Sequence, residues 1–316
     1  MSTLFVGVDG GGSKTAAVVV DRRMKIIGRG LAGPSNYLRV GIEEATINID
    51  KAIASAIATA RADPSQVGYT YCGIAGSDHP KHRARMIEAL RSLFPLGNFT
   101  VDSDARIALI GGVGLHPGIV VIAGTGSVAF GRNESGKEAR AGGWGPTIGD
   151  EGSGYSIARR GLSAIVRAYD GRGPQTALTD LLCTVHGLCQ PEDLPTFVYA
   201  PTTRVASIAA YGKMVIDAAR AGDRIAKEIV SSEGYELGKT VLAVARKLEM
   251  ETGPFAVAYF GGAFRAGDLL VGPMREALLA GAPEAEVRPP IETAVEGAAR
   301  MAIRAARAPR PTRKKK

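Results

Sequence analysis

One pattern occurs twice along the chain and restricts what it can fold into. Leu4–Val8 is an apolar run that meets Asp9, then Gly10–Gly12, Ser13, Lys14 and Thr15, and continues at once into the apolar, β-branched run Ala16–Val20. Residues 118–132, GIVVIAGTGSVAFGR, repeat the arrangement around a Gly-Thr-Gly-Ser turn. Each reads as strand, turn, strand. Consecutive glycines reach φ values closed to other residues, so the backbone N–H groups of such a turn can point into one concavity and hold phosphate oxygens. Each hairpin is followed by further strand and helix material, which points to an internal duplication. A pair of facing α/β lobes would direct both glycine turns into a single cleft, a geometry suited to a nucleotide gripped from two sides.

Two other phosphate motifs fail here. A Walker loop counted from Gly7 places Gly12 correctly but finds Ser13 where lysine is required. A dinucleotide fingerprint needs its glycines to open a helix, whereas Ala16–Val20 reads as strand. What remains is a Gly-rich hairpin in which the hydroxyls of Ser13 and Thr15 add donors and Asp9 can hold Mg²⁺, directly or through water.

A chain of 316 residues is expected to form one large or two medium domains. The formal net charge is +8, yet residues 297–316 alone carry eight positive charges and no acid, so residues 1–296 are formally neutral. The high pI therefore belongs to the C-terminal end and not to a nucleic-acid-binding face. APRPTRKKK reads as a solvated, disordered tail, and no specific nucleic-acid partner is expected. Cys72, Cys183 and Cys189 are an odd set without C-x-x-C spacing, which indicates neither a disulfide framework nor a thiolate zinc site and fits a reducing compartment. No basic-then-apolar leader opens the chain and no uninterrupted apolar run reaches membrane-spanning length, so the expected location is cytoplasmic, with no membrane partner.

Taken in order, Met24–Gly30 supplies a third strand and Gly33–Gly41 a loop centred on Asn36. Ile42–Arg61 has helical spacing. A strand runs into the small-residue turn Ala75–Asp78, Pro80–Leu93 is helical, and a short strand Phe99–Val101 leads through Asp102 to a helix beginning near Asp104. After the second hairpin and the Asn133–Gly136 turn, a glycine-rich loop carries Asp150 and Glu151, and Ser153 opens a helix. Gly173–Phe197 is mixed, mostly helical. Val205–Ala221 and Asp223–Lys247 are helices separated by Gly222. Phe255–Leu278 is a strand, Gly261–Gly262, then a helix; Val287–Pro290 is a short strand and Thr293–Ala306 an Ala-rich helix. The repeated βα alternation makes this an α/β protein.

DGGGSKT, SDA within VDSDA, GTGS and GGWGPTIGDEGSGYSIA, in that order and followed by a strand and GGAF, resemble the N-acetylglucosamine kinase group. That group lies within the BadF/BadG/BcrA/BcrD-type ATPase family of the actin/hexokinase/Hsp70 superfamily. The similarity spans residues 4–304, and GGWG followed by GDEGS is its most specific element. It implies two actin-like (ribonuclease H-like) lobes around a nucleotide cleft, each a mixed sheet flanked by helices. The N-terminal lobe would be residues 1–112 with helix 293–306 packed back on it, and 113–292 the nucleotide and sugar lobe, leaving 307–316 as the tail. The implied activity is transfer of the γ-phosphoryl group of ATP, with Mg²⁺, to the 6-hydroxyl of N-acetylglucosamine.

Residue by residue, Asp104 matches the catalytic carboxylate; Asn36 and Asp150 match sugar ligands, and Gly143, Trp144 and Gly145 the loop lining the sugar pocket, with Ser127 grouped beside them. Ser13 and Thr125 match phosphate-binding positions within turns that also contain Gly11, Gly12, Lys14 and Gly126. Gly262 and Ala263 match the adenosine side, as does Gly222. The family often has Asn where this chain has Ser103, which alters the hydrogen bonding expected around the base.

The residues themselves carry a parallel argument. Phosphoryl transfer requires positioning and charge neutralisation, with a carboxylate to accept the attacking hydroxyl's proton. Asp102 and Asp104 both qualify by sequence, and both also suit an N-cap. Two acids in the apolar, glycine-rich Gly149–Gly152 loop favour sugar recognition over a solvated turn. Trp144 is either core or pocket wall, and His79 and His82 fit surface or capping roles better than metal ligation. The competing functions are an ATPase that activates a dehydratase or reductase through a cysteine-ligated iron–sulfur cluster, and a non-catalytic sugar sensor. Glucosamine and N-acetylmuramic acid compete as acceptors. A homodimer is compatible with the family, although no interface signal is visible.

Overall fold

In a computed structural model that describes residues 3–94, 98–185 and 187–307, β1 (Leu4–Gly10) and β2 (Thr15–Val20) pair antiparallel from Phe5↔Val20 to Gly10↔Thr15. Gly11 N–H donates to Lys14 O across the turn, 2.9 Å. β3 (Ile26–Ala32) continues the meander, while β4 (Val67–Ile74) and β5 (Phe99–Asp102) add parallel on the other side, in the order β3-β2-β1-β4-β5. The tail expected at 307–316 lies, past Arg307, outside the described residues.

Near-continuous apolar runs form these strands because both faces of the sheet are covered. With a side-chain period of two, Leu4, Val6, Val8, Ala17 and Val19 bury against helix α1 (Ile42–Thr59), whereas Phe5, Val18 and Val20 join Ile107 and the C-terminal helix Ala294–Arg307. Full burial of each large apolar side chain contributes roughly 1.5–3 kcal/mol. The C-terminal helix approaches so closely that a Cβ on Gly7 would lie 2.3 Å from Ala299 N. Two further helices of this unit are α2 (Pro80–Leu90) and α3 (Asp104–Val113). His79 accepts from Lys81 N–H as the N-cap of α2, the capping role anticipated for it. The unit runs to Leu115 and resumes at Pro290.

The second unit, His116–Pro289, repeats the plan. β6 (Gly118–Ala123), β7 (Ser127–Arg132) and β8 (Glu138–Gly142) form the meander, and β9 (Phe255–Phe260) and β10 (Ala285–Arg288) add parallel, in the order β10-β9-β6-β7-β8. Counted within each unit, both sheets have the same order, third-second-first-fourth-fifth, as a duplication requires. Its principal helices are α4 (Gly154–Tyr169), α5 (Tyr211–Ala221), α6 (Arg224–Lys247) and α7 (Asp268–Leu279).

Several expectations need correction. The helix read as Val205–Ala221 breaks at Ala210, where Gly212 lies against the backbone of Gly154. The helix after Gly262 begins only at Asp268, because Gly262–Ala266 forms a 3₁₀ turn ended by Gly267 at φ +61°. Cys183 and Cys189 are joined in a disulfide, against the expectation of reduced thiols, with their Cα atoms 4.3 Å apart. Cys72 is free and buried. Among the described residues no helix is long and apolar enough to cross a membrane.

Candidate active site

In the first unit the loops that follow β1, β3 and β4 are tied to one another. Ser35 and Asn36 N–H donate to Gly11 O at 3.0 and 3.1 Å, and Ala75 N–H donates to Gly10 O at 2.8 Å. Thr15 is fully buried, and its hydroxyl donates to Gly33 O at 2.7 Å and meets Ser35 Oγ at 2.8 Å. Thr15 therefore bolts the Asn36 loop to the glycine turn and is not the phosphate donor expected of it, while Gly12, Ser13 and Lys14 are exposed. Asn36 caps the short helix Tyr37–Val40, its Oδ1 accepting from Leu38 N–H, and lies beside Gly76. The carboxyl ends of parallel strands are where open α/β sheets bind ligands.

Asp102 and Asp104, equivalent in the sequence, separate completely here. Asp102 accepts from Tyr71 OH at 2.7 Å, Ser103 N–H at 2.8 Å and Arg106 at 2.9 Å, and Arg83 lies 3.4 Å away. Its carboxylate is spent on structure. Ser103 is the N-cap of α3, accepting from Arg106 N–H, which leaves Asp104 in the first turn without the capping task. Burial of its carboxyl, then the negative charges of Asp78 and Asp9, push Asp104 up to about 7. Asp9 is pushed up to about 6 by burial, against the pull of Lys14. An acid with a value near 7 exchanges its proton at neutral pH, as a general base must.

In the second unit the GTGS turn and the GDEGS loop are stitched together. Gly154 N–H donates to Gly124 O at 2.7 Å, and Ser127 Oγ donates to Glu151 O at 2.6 Å. Ser127 thus acts as a buttress between the turn and the loop. Thr125 accepts through its carbonyl from Tyr155 N–H, and Gly126 lies under Asp150, whose Oδ2 would be 2.6 Å from a Cβ there. Asp150 is buried with φ +62°, and its Oδ1 accepts from Gly145 N–H at 3.2 Å. Ser153 caps α4.

Gly143 and Gly145 carry positive φ, and Trp144 between them is 70% exposed with Arg140 over its ring, so it is not core. A Cβ on Gly261 would lie 2.2 Å from Ala123 O, which sets Gly262 and Ala263 at the end of the strand that leads into the GTGS turn. Gly222 is the left-handed C-cap of α5, φ +111°.

The predicted residues thus form a cluster in each unit: Asp9, Gly11–Lys14, Asn36 and Asp104 in the first, and Thr125–Ser127, Gly143–Gly145, Asp150, Gly262 and Ala263 in the second. Three residues escaped the sequence reading. Asp78, whose charge acts on Asp104, had a signal, the turn at the carboxyl end of parallel β4. Arg39, which lies against Gly12, and Glu233, buried beneath the GDEGS loop, had none. Among the described residues no three His, Cys, Asp or Glu side chains converge as a metal cage.

A model of the BadF/BadG/BcrA/BcrD ATPase family matches residues 6–302. The chain is 34% identical over 257 residues to an N-acetylmuramic acid/N-acetylglucosamine kinase of Clostridium acetobutylicum, covering 81% of this chain and 84% of that protein. It is 32% identical over 295 residues to an N-acetyl-D-glucosamine kinase of Dictyostelium discoideum, covering 90% and 92%. Among solved structures, a Chromobacterium violaceum protein assigned as an N-acetylglucosamine kinase superposes with a TM-score of 0.75 at 25% identity, covering 97% of this chain and 99% of that one.

Proposed function

Since the chain belongs to the BadF/BadG/BcrA/BcrD ATPase family, we propose that it is an ATP-dependent amino-sugar kinase that phosphorylates the 6-hydroxyl of N-acetylglucosamine. The observation that carries this reading is the contrast between neighbouring acids. Asp102 is locked by Tyr71, Arg83 and Arg106, while Asp104 is held near 7 at the head of α3. In the proposed reaction Asp104 takes the proton of the attacking hydroxyl as the sugar oxygen bonds to the γ-phosphorus and the phosphorus–oxygen bond to ADP breaks. Asn36 and Asp150 bind sugar hydroxyls, and the Gly143–Gly145 segment with the exposed ring of Trp144 forms the pocket wall.

Backbone N–H groups of Gly11–Ser13 and of Thr125–Gly126, with the charge of Lys14, hold phosphate oxygens, and Gly262, Ala263 and Gly222 line the adenosine. The donor chemistry suits Mg²⁺. A cation that keeps several waters and binds substrate phosphates needs only one or two carboxylates, and Asp9, a half-buried acid lifted to about 6, offers one. When bound, Mg²⁺ neutralises phosphate charge. Asp9 holds it directly or through water.

A coupled ADP-release assay across N-acetylglucosamine, glucosamine, N-acetylmuramic acid and glucose tests this reading. Turnover dependent on an amino sugar is the expected outcome, with N-acetylglucosamine giving the largest kcat/KM. ADP release indifferent to every sugar would refute it and favour an ATPase coupled to another process.

A further inference from the structure

We propose that Glu233, at the middle of α6, is a positioning residue that fixes the geometry of the Asp150 loop. The proposal rests on the reading of that loop as the sugar site. Glu233 occupies a core position of α6, in step with buried Ala226, Ile229, Val230, Leu237 and Val241, and is 2% exposed. An acid in such a place is expensive to bury, and a well-packed apolar residue commonly serves stability as well or better. Its retention is explained by what it holds.

The carboxylate accepts from Gly152 N–H, from Ser156 Oγ at 2.8 Å and from Arg160 at 3.2 Å, and Arg160 is itself anchored on Ser232 at 2.9 Å. These partners bracket the junction at which the GDEGS loop becomes α4. Gly152 has φ +79°, and a Cβ there would lie 2.1 Å from Leu237 Cγ, so α6 meets the loop backbone with nothing between. Two residues upstream, Asp150 holds a left-handed conformation that a non-glycine residue keeps only when its surroundings impose it. The chain is pinned immediately after Asp150, at two consecutive residues, by Ser127 on Glu151 O and by Glu233 on Gly152 N–H. The Asp150 carboxylate just before these anchors accepts from Gly145 N–H.

The test is Glu233→Gln, which keeps the shape but sets an NH₂ group against one of these donors, with Ser156→Ala as a second variant that removes a single donor. Both are measured for thermal midpoint, for KM of each substrate and for amide exchange at Gly152. Misplacement of a binding group by a fraction of an ångström to an ångström lowers kcat/KM roughly tenfold to a hundredfold. The expected result for Glu233→Gln is a loss of that size for the sugar with KM for ATP changed less than about twofold, faster exchange at Gly152, and unaltered exchange in β6 and β9. Ser156→Ala should show the same pattern more weakly. Equal losses for sugar and ATP, or a folded Glu233→Gln protein with unchanged sugar kinetics, would overturn the proposal. If the wild-type protein phosphorylates no sugar, the kinase reading fails separately. Gly152 exchange then decides alone: acceleration in Glu233→Gln upholds the loop anchor and unchanged exchange overturns it.

Discussion

Replacing Asp104 by Asn should abolish sugar-dependent turnover and at the same time stabilise the fold, by an amount that depends on pH in a defined way. The Asp104 carboxyl binds its proton more tightly in the folded chain than the ordinary value of 3.8 allows, because burial and the charges of Asp78 and Asp9 disfavour the anion. A raised acid contributes to stability below its unfolded value, loses that contribution as pH rises from about 4 to about 7, and costs a constant amount above that. At 1.36 kcal/mol per pH unit, the rise from 3.8 to about 7 sets a ceiling of about 4 kcal/mol. Asp104 is only half-buried, so water relieves part of this, and we expect on the order of 2 kcal/mol. Asn cannot ionise and escapes the loss. Thermal melts of the ligand-free proteins should therefore differ little at pH 4, diverge between pH 4 and 7, and at pH 8 place Asp104→Asn higher by roughly 4–8 °C. Equal differences at pH 4 and pH 8, or sugar-dependent turnover in the variant, would refute the argument.

Three further outcomes follow from the same network of contacts. Asp78→Asn removes a charge that raises Asp104, so the acid limb of the kcat/KM profile, which reports the base in the free enzyme, should move to lower pH; an unmoved limb would separate Asp78 from the base. Asp102→Asn breaks a buried network with Tyr71, Arg83 and Arg106 and should destabilise by about 3 kcal/mol in urea unfolding while leaving the position of that limb unchanged. Gly7→Ala forces a methyl to within 2.3 Å of the Ala299 backbone and should destabilise by about 2–3 kcal/mol; unfolding measurements showing no loss would mean that the C-terminal helix is not seated on β1 as described.

Much of the fold was legible because its signals are local. The apolar runs Leu4–Val8 and Ala16–Val20, the glycine turns and the second hairpin at 118–132 require only neighbours in sequence to recognise, and their repetition announced the duplication that the two equally ordered sheets display. Helix starts were legible where a cap stood in the right place, as at Ser153 and Asp223. The break at Ala210 and the Cys183–Cys189 pairing were not, because each depends on what the chain meets after it has turned.

The division of labour between Asp102 and Asp104 marks the boundary most clearly. Sequence alone supplied two acids at a strand end and a helix start, beside a residue able to cap, and could go no further, because spacing fixes neither burial nor charge neighbours. Packing decided the rest. Arg83, carried in on α2, and Tyr71, carried in on β4, claim Asp102, while burial, then Asp78 in the turn after β4 and Asp9 at the end of β1, raise Asp104. The proton affinity of Asp104 is set by burial and by groups distant in the chain, and the contacts of Glu233 likewise come from residues more than seventy positions away in sequence.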